Sequence, residues 1–264
     1  MNPSTRPPHG RPWDAVWLLH YGWPVLMGWA LSEVVLEAGH RPGSTAGRDV
    51  FLWCILAAYS LDRLLDRAAE PPSRVLVTSL WLGFGVALAG TAMALPGLPS
   101  GTLALLPVLS LASLGYRRLK PYPLVKALLV PLVWTWACLA LPVADGSWFG
   151  WRSLLQPVGG PLFLLLASGT ALCDVKDLAA DRDGGVRSLP VQMGIPWTLG
   201  IAALAALAGA GWALALGKEC LAAGGLLLGG LACLPQVLAR KPLGPLLVDA
   251  VLTLPGLLVW LRRT

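Results

Sequence analysis

The chain has 264 residues, of which 56% are hydrophobic and only 13% charged, and its net charge is +6. Soluble domains carry about a quarter charged residues, so this composition excludes an ordinary soluble domain and points to the membrane. The modest positive balance is of the kind that membrane topology produces, and nucleic acid is not expected as a partner.

The first stretch, MNPSTRPPHGRP, reads as a polar, proline-rich tail over residues 1–12. It runs directly into a full-length apolar segment with no small-residue cleavage site, so a cleaved signal peptide is not expected. Crossing a hydrocarbon core of ~30 Å takes roughly 20 apolar residues in a helix. Such runs fall near 13–36, 49–66, 74–95, 101–116, 124–143, 157–178, 196–217, 219–239 and 244–261. The expected fold is therefore all-α, a polytopic bundle of about nine transmembrane helices forming one domain over residues 1–264. Prolines in WPVLMG (23–28) and VPLVW (130–134) open two stretches of similar layout. They suggest two pseudo-repeated four-helix halves in parallel orientation, with a ninth helix added.

Five cysteines are scattered through apolar segments without close pairs, and read as small buried side chains. Several of the tryptophans, among them Trp13, Trp148, Trp151, Trp197 and Trp260, fall near segment ends, where amphipathic rings anchor at the headgroups.

Alternating helices divide the basic residues unevenly. One face collects Arg6, Arg11, Arg63, Arg67, Arg74, Arg117, Arg118, Lys120, Lys126, Lys176, Arg182, Arg187, Arg240 and Lys241, against Arg41, Arg48, Arg152, Lys218, Arg262 and Arg263 on the other. By the positive-inside rule the first face is cytoplasmic, and the N-terminus with it. Asp62, Asp66, Asp174, Asp177, Asp181 and Asp183 sort to that same face, although acidic residues contribute little to topology. Their clustering calls for a chemical reason.

Asp62 and Asp66 are four residues apart at the end of the second segment, hence on one helical face and ~6 Å apart in rise. Asp174, Asp177 and Asp181 stand at i, i+3 and i+7 at the end of the sixth, and on a continuous helix would project within about 60° of one another. Like charges at this spacing repel, and carboxylates at a helix C-terminus also oppose the macrodipole. A cation should therefore sit between them. Carboxylate oxygens favour Mg²⁺ over zinc, and Mg²⁺ is commonly held by one or two carboxylates together with substrate phosphates. The plainer alternative is that these acids are solvated helix ends pairing with Arg63, Arg67, Lys176 and Arg182. A third inner loop, GYRRLKPYPLVK (115–126), contributes further basic side chains and two tyrosines; such loops also bind anionic headgroups nonspecifically. Asp249, about one turn into the last segment, is an intramembrane acid and a functional candidate on that ground, outside the core site.

These residues resemble the UbiA superfamily of intramembrane prenyltransferases. LDRLLDR (61–67) is similar to the family's first motif, NxxxDxxxD, and DVKDLAADRDGGVRSLPVQMG (174–194) to its second, DxxDxxxD with a G-x-x-S/T-L-P tail. The resemblance implies transfer of an isoprenyl group from a Mg²⁺-bound prenyl diphosphate to an aromatic or other lipophilic acceptor. Ionisation of the donor would be followed by electrophilic alkylation of the acceptor. It further implies that Asp62 and Asp66 bind one Mg²⁺, and Asp177 and Asp181 a second with Asp174 in support. Arg63, Tyr116, Arg117, Lys120 and Lys176 would hold the diphosphate. The site would be reached from membrane lipids, and the protein would be a multi-pass component of a bacterial inner membrane with both motifs cytoplasmic. One departure stands out: the position of the first motif's Asn is Ala58. Two other readings remain, a prenyl-lipid-binding membrane protein without turnover and a transporter. CDP-alcohol phosphotransferases also use clustered aspartates, but in one continuous segment, whereas here the acids are split between 62–66 and 174–183.

Overall fold

The computed structural model describes residues 12–39, 43–65, 74–143, 157–240 and 243–264. Among them the structure is helical, in the order α1 (Pro12–Gly39), α2 (Thr45–Leu65), α3 (Arg74–Ala94), α4 (Ser100–Leu119), α5 (Val125–Ala140), α6 (Gly159–Asp174), α7 (Leu178–Asp183), α8 (Leu189–Met193), α9 (Ile195–Ala215), α10 (Glu219–Leu231), α11 (Pro235–Leu238) and α12 (Leu243–Arg263). The tail over 1–11 lies outside the described residues.

Proline and glycine set the boundaries. Pro190, Pro196 and Pro235 each sit in the first turn of a helix, where a missing N–H costs no intrahelical bond. The segment expected at 219–239 is accordingly two pieces, α10 and the short α11, because Pro235 starts a new helix and α10 ends at Leu231. Pro24, Pro107, Pro131 and Pro255 are carried inside long helices, as the close packing of membrane bundles permits.

The span from Leu76 to Gly97, together with α9 and α12, is long and apolar enough to cross a membrane. The chain is an integral membrane protein by this measure, and its outer surface agrees. On α3 and α4, Leu82, Met93, Leu111 and Leu114 are well exposed, which suits hydrocarbon as the surrounding solvent. The interior is built where α1 packs on α2 and α12, α6 on α5, α9 and α12, and α10 on α9 and α12. Its fully buried side chains include Leu31, Phe51, Leu139, Leu162, Leu165, Leu172, Leu221 and Leu228.

Small residues let the helices approach closely, as is usual where lipid provides no hydrophobic drive between helices. A Cβ at Gly256 on α12 would lie only 2.0 Å from the carbonyl oxygen of Ala30 on α1. Gly256→Ala is thus expected to push α1 from α12 and to cost about 1–3 kcal/mol, the usual range for overpacking. Thermal unfolding in detergent measures it, and an unchanged midpoint would refute the close crossing.

Opposite the aspartate motifs, Glu33 of α1 is buried and accepts from two guanidiniums. Arg48 Nη1 of α2 stands 2.7 Å and Arg263 Nη1 of α12 2.9 Å from its carboxylate oxygens. Beside this cluster the Ser44 N–H donates to the Pro142 carbonyl at 2.8 Å, joining the α1–α2 connection to the end of α5. Glu33→Leu leaves two cations facing an apolar side chain. Because Arg48 and Arg263 keep some solvent access, the expected loss is about 1–3 kcal/mol, less than for a fully buried pair. Arg263→Ala, which spares the Arg48 contact, should cost less in the same unfolding assay.

Candidate active site

The second aspartate motif is not one continuous helix. α6 stops at Asp174, residues Val175–Asp177 form a 3₁₀ turn, and α7 resumes at Leu178. The expected stripe at 100° per residue is therefore corrected: tightening to about three residues per turn and restarting re-aims the carboxylates individually. Asp174 and Asp181 converge, whereas Asp177 turns to its sequence neighbour and pairs with Lys176.

The end of α7 shows how the backbone holds this arrangement. The Val186 N–H donates to the Asp181 carbonyl at 2.8 Å and the Gly185 N–H to the Arg182 carbonyl at 3.3 Å, with Gly185 at φ +68°. This is a Schellman cap, in which the left-handed position favours glycine. The buried Val186 that follows anchors the turn. Ser188, Leu189 and Pro190 are buried as well, so the S-L-P tail packs under the motif as a support.

Asp174 and Asp181 converge on Lys126, from the first turn of α5. Its ammonium lies 2.9 Å from Asp174 Oδ1 and 3.1 Å from Asp181 Oδ2. The Asp174 side chain is 3% exposed, that of Asp181 12% and that of Lys126 17%. Three charges so far out of water hold only because they compensate one another. Tyr116, near the end of α4, has Lys126, Asp174, Asp181 and also Asp62 as its charged neighbours. Tyr59 of α2 neighbours Asp62 and Arg63 on one side and Cys173 and Asp249 on the other. The two tyrosines thus bridge the first motif and the second, which are far apart in sequence.

Several expected site residues are placed by this geometry and others are not. Asp62, Arg63, Tyr116, Asp174, Lys176, Asp177 and Asp181 gather at one end of the bundle. Lys120 is half-buried just after α4. Asp66 lies outside the described residues, and so does the side chain of Arg117. Ala58 is exposed and, four residues before Asp62, shares its face of α2 without offering a polar side-chain atom.

Lys126 is the residue that sequence reasoning undervalued. It was one basic residue among several in the 115–126 loop, and its spacing gave no hint of aspartates some fifty positions away. Trp134 was missed, and so was its packing on Tyr59: their rings meet edge to face at 6.3 Å between centroids, and Trp134 meets Phe51 likewise at 6.2 Å.

For a metal, the donor chemistry fits and one oxygen is uncommitted. Asp174 Oδ2 is buried with no hydrogen-bond partner. The Nε of Arg63 is likewise buried without a hydrogen-bond partner. Among the described residues no three His, Cys, Asp or Glu side chains come together as a ready metal site. The cation that the sequence demands between Asp174 and Asp181 is supplied here by Lys126.

Among solved structures, the apo structure of a UbiA homolog from Aeropyrum pernix K1 matches with a TM-score of 0.69, covering 91% of this chain and 98% of that one at 17% identity. The fold is UbiA-like. No protein-family model matches the chain, and no curated protein matches it. That likeness is one of fold; the aspartate-bearing ends are brought together by this chain's own packing. The roles of the residues there rest on their own chemistry.

Proposed function

We propose that the protein is a Mg²⁺-dependent intramembrane prenyltransferase, moving an isoprenyl group from a prenyl diphosphate to an aromatic or other lipophilic acceptor. The observation that carries this reading is the convergence of Asp174, Asp181, Lys126, Tyr116 and Asp62 at one end of a UbiA-like bundle. A solvated helix end has no use for a buried carboxylate pair with a shared ammonium and a spare oxygen. In this reading the whole chain is one domain of nine spanning helices, two four-helix halves and a ninth. It sits in a bacterial inner membrane with both motifs on the cytoplasmic side.

Mg²⁺ held by Asp62 and Asp66, and by Asp177 and Asp181 with Asp174 in support, would supply the charge that stabilises a departing diphosphate. Arg63, Arg117, Lys120 and Lys176 add fixed positive charge around the same anion. Lys126 adds a further cation, and the Tyr116 hydroxyl can donate a hydrogen bond to a phosphate oxygen. Tyr59 and Trp134, packed edge to face at 6.3 Å between centroids, would offer aromatic surface to an allylic cation on the apolar side. Their bulk also keeps water from quenching it. The allylic C–O bond breaks with its electron pair leaving on the diphosphate; an electron pair of the acceptor forms the new C–C bond, and the C–H bond at the alkylated carbon then breaks, its proton passing to the released diphosphate or to water.

The test is release of inorganic diphosphate from farnesyl, geranylgeranyl and longer prenyl diphosphates by the purified protein, with Mg²⁺ and with chelator, across a panel of acceptors. Mg²⁺-dependent release that needs an acceptor supports the proposal. A second reading, a prenyl-lipid-binding protein without turnover, or a transporter, draws on Ala58, which leaves the first motif short of one polar ligand. Tight binding of prenyl diphosphate with no release for any acceptor would favour it.

A further inference from the structure

The end of the bundle opposite the aspartate motifs carries a cleft that the proposed chemistry does not use. It lies where the end of α1, the turn between α9 and α10 and the end of α12 meet, and its volume is about 90 Å³. A water needs ~10–15 Å³ measured this way, so the space takes roughly six waters or a polar chain of similar bulk. Val34, Cys220 and Leu221 give it a buried apolar floor. Glu37, Lys218, Glu219 and Arg262 line the walls.

Those walls are held in place by packing and by the backbone. Glu33, one turn before Glu37 on α1, accepts from Arg263 at 2.9 Å, and Trp29 of α1 meets Trp260 of α12 edge to face at 6.3 Å. On the third wall, the Gly217 N–H donates to the Leu214 carbonyl at 2.9 Å and the Lys218 N–H to the Ala213 carbonyl at 2.8 Å, with Gly217 at φ +69°. This Schellman cap fixes where Lys218 leaves α9.

The charges suit a guest that carries both signs. Arg262 pairs with Glu219 at 3.3 Å where both side chains are well exposed, so the pair contributes little and opens easily. Glu37 and Lys218 are half-buried, and among the described residues neither forms an ion pair. Two acids and two bases balance to zero, so an anion or a cation alone would leave charge uncompensated. A zwitterion would not. Position then names its source. α12 is long and apolar enough to cross a membrane, and Arg262 stands at its end, at headgroup depth. Leu214 at the end of α9 and Leu261 beside Arg262 are both more than half exposed, an apolar surface below the rim that suits acyl chains.

We propose that this cleft binds the headgroup of a phospholipid bearing a primary amine and a phosphate, as phosphatidylethanolamine does. The ammonium donates to Glu37 and Glu219, while Lys218 and Arg262 donate to the phosphate. A choline headgroup has the same net charge but no N–H to donate, and a glycerol headgroup brings a phosphate with no cation for the two glutamates. Bound lipid ties the ends of α1, α9 and α12 together and therefore stabilises the fold. The proposal is independent of the chemistry at the aspartate motifs.

The test uses the full chain, delipidated in detergent, with dioleoyl phosphatidylethanolamine, phosphatidylcholine or phosphatidylglycerol added in turn. Retained lipid is counted by native mass spectrometry, and stabilisation is read from the unfolding midpoint. The ethanolamine lipid is expected to bind about tenfold or more tightly than the other two, the scale of one charge-assisted hydrogen bond. Glu37→Gln and Lys218→Ala should each remove most of that preference. Without added lipid both variants should unfold at the midpoint of the unaltered protein, since neither side chain is in an ion pair, and this also shows that they are folded. Preference for phosphatidylglycerol would mean a basic patch attracting anionic lipid, and equal binding of phosphatidylcholine would mean that no ammonium N–H is read; either overturns the proposal. It is also overturned if free phosphoethanolamine competes as well as the lipid does, or if the ethanolamine preference survives in both variants.

Discussion

Lys126→Met is expected to destabilise the protein by about 3–5 kcal/mol, the range for removing one partner from a buried ionic group. Methionine keeps much of the length and apolar character of the lysine stem, so the change is chiefly the loss of charge. What remains is Asp174, 3% exposed, facing Asp181 without the ammonium that lies 2.9 and 3.1 Å from them. Two carboxylates in that setting repel, and neither can recover its hydration. Asp174→Asn introduced into Lys126→Met should restore part of the loss, giving a non-additive double-mutant cycle. Lys176→Met is the control: its partner Asp177 has a side chain 26% exposed and can rehydrate, so the effect should be clearly smaller. Unfolding midpoints in detergent decide the matter. Equal effects from the two lysines would mean that Lys126 is no more than a surface ion pair.

The residues that were legible in the sequence are those whose chemistry is local. Asp62 beside Asp66 and the run from Asp174 to Asp183 announce themselves because carboxylates at the ends of apolar segments have a cost that needs a reason. The long helices were legible for a similar cause, since apolar length in a membrane leaves few alternatives to a helix. The break after Asp174 was not legible. DVKDLAAD has neither glycine nor proline, and the 3₁₀ turn lies where Asp174 pairs with the distant Lys126 while Lys176 and Asp177 pair with each other. Gly185 was the readable part of that segment, and it marks where α7 ends and not where α6 does.

Lys126 and Asp249 illustrate the other limit. Lys126 reads as ordinary in its basic loop, and Asp249 as an intramembrane acid, a functional candidate with no partner named. Their meaning comes from helices distant in sequence, α5 against α6 and α7 for Lys126, and α12 against α2 and α6 for Asp249. Sequence spacing reports neighbours along one helix; it is silent about which helix end lies opposite. The positive-inside pattern narrowed the choice by placing the loops on one face, and packing supplied the pairing.

Asp177→Asn should lower Mg²⁺-dependent diphosphate release by about 10²–10³-fold, the scale seen when one preorganised electrostatic contact to a developing charge is removed. Asparagine keeps the size and one oxygen but surrenders the charge, so the fold has little reason to respond. Asp181→Asn should reduce release by a similar factor, and it differs in a second way. Asp181 is buried and shares Lys126 with Asp174, so its loss frees the ammonium to sit on Asp174 alone and lowers the unfolding midpoint as well. The Asp177 side chain is 26% exposed and can rehydrate, so its substitution should lower the midpoint less. The two variants thus separate chemistry from scaffold. Single-turnover release with rising Mg²⁺ then tests the metal itself. If these carboxylates hold Mg²⁺, the loss in Asp177→Asn should be partly recovered at high Mg²⁺, because a weakened site is refilled by mass action. A defect independent of Mg²⁺ would instead assign Asp177 to orienting Lys176, and the diphosphate would then be held by the basic side chains without a metal at this position.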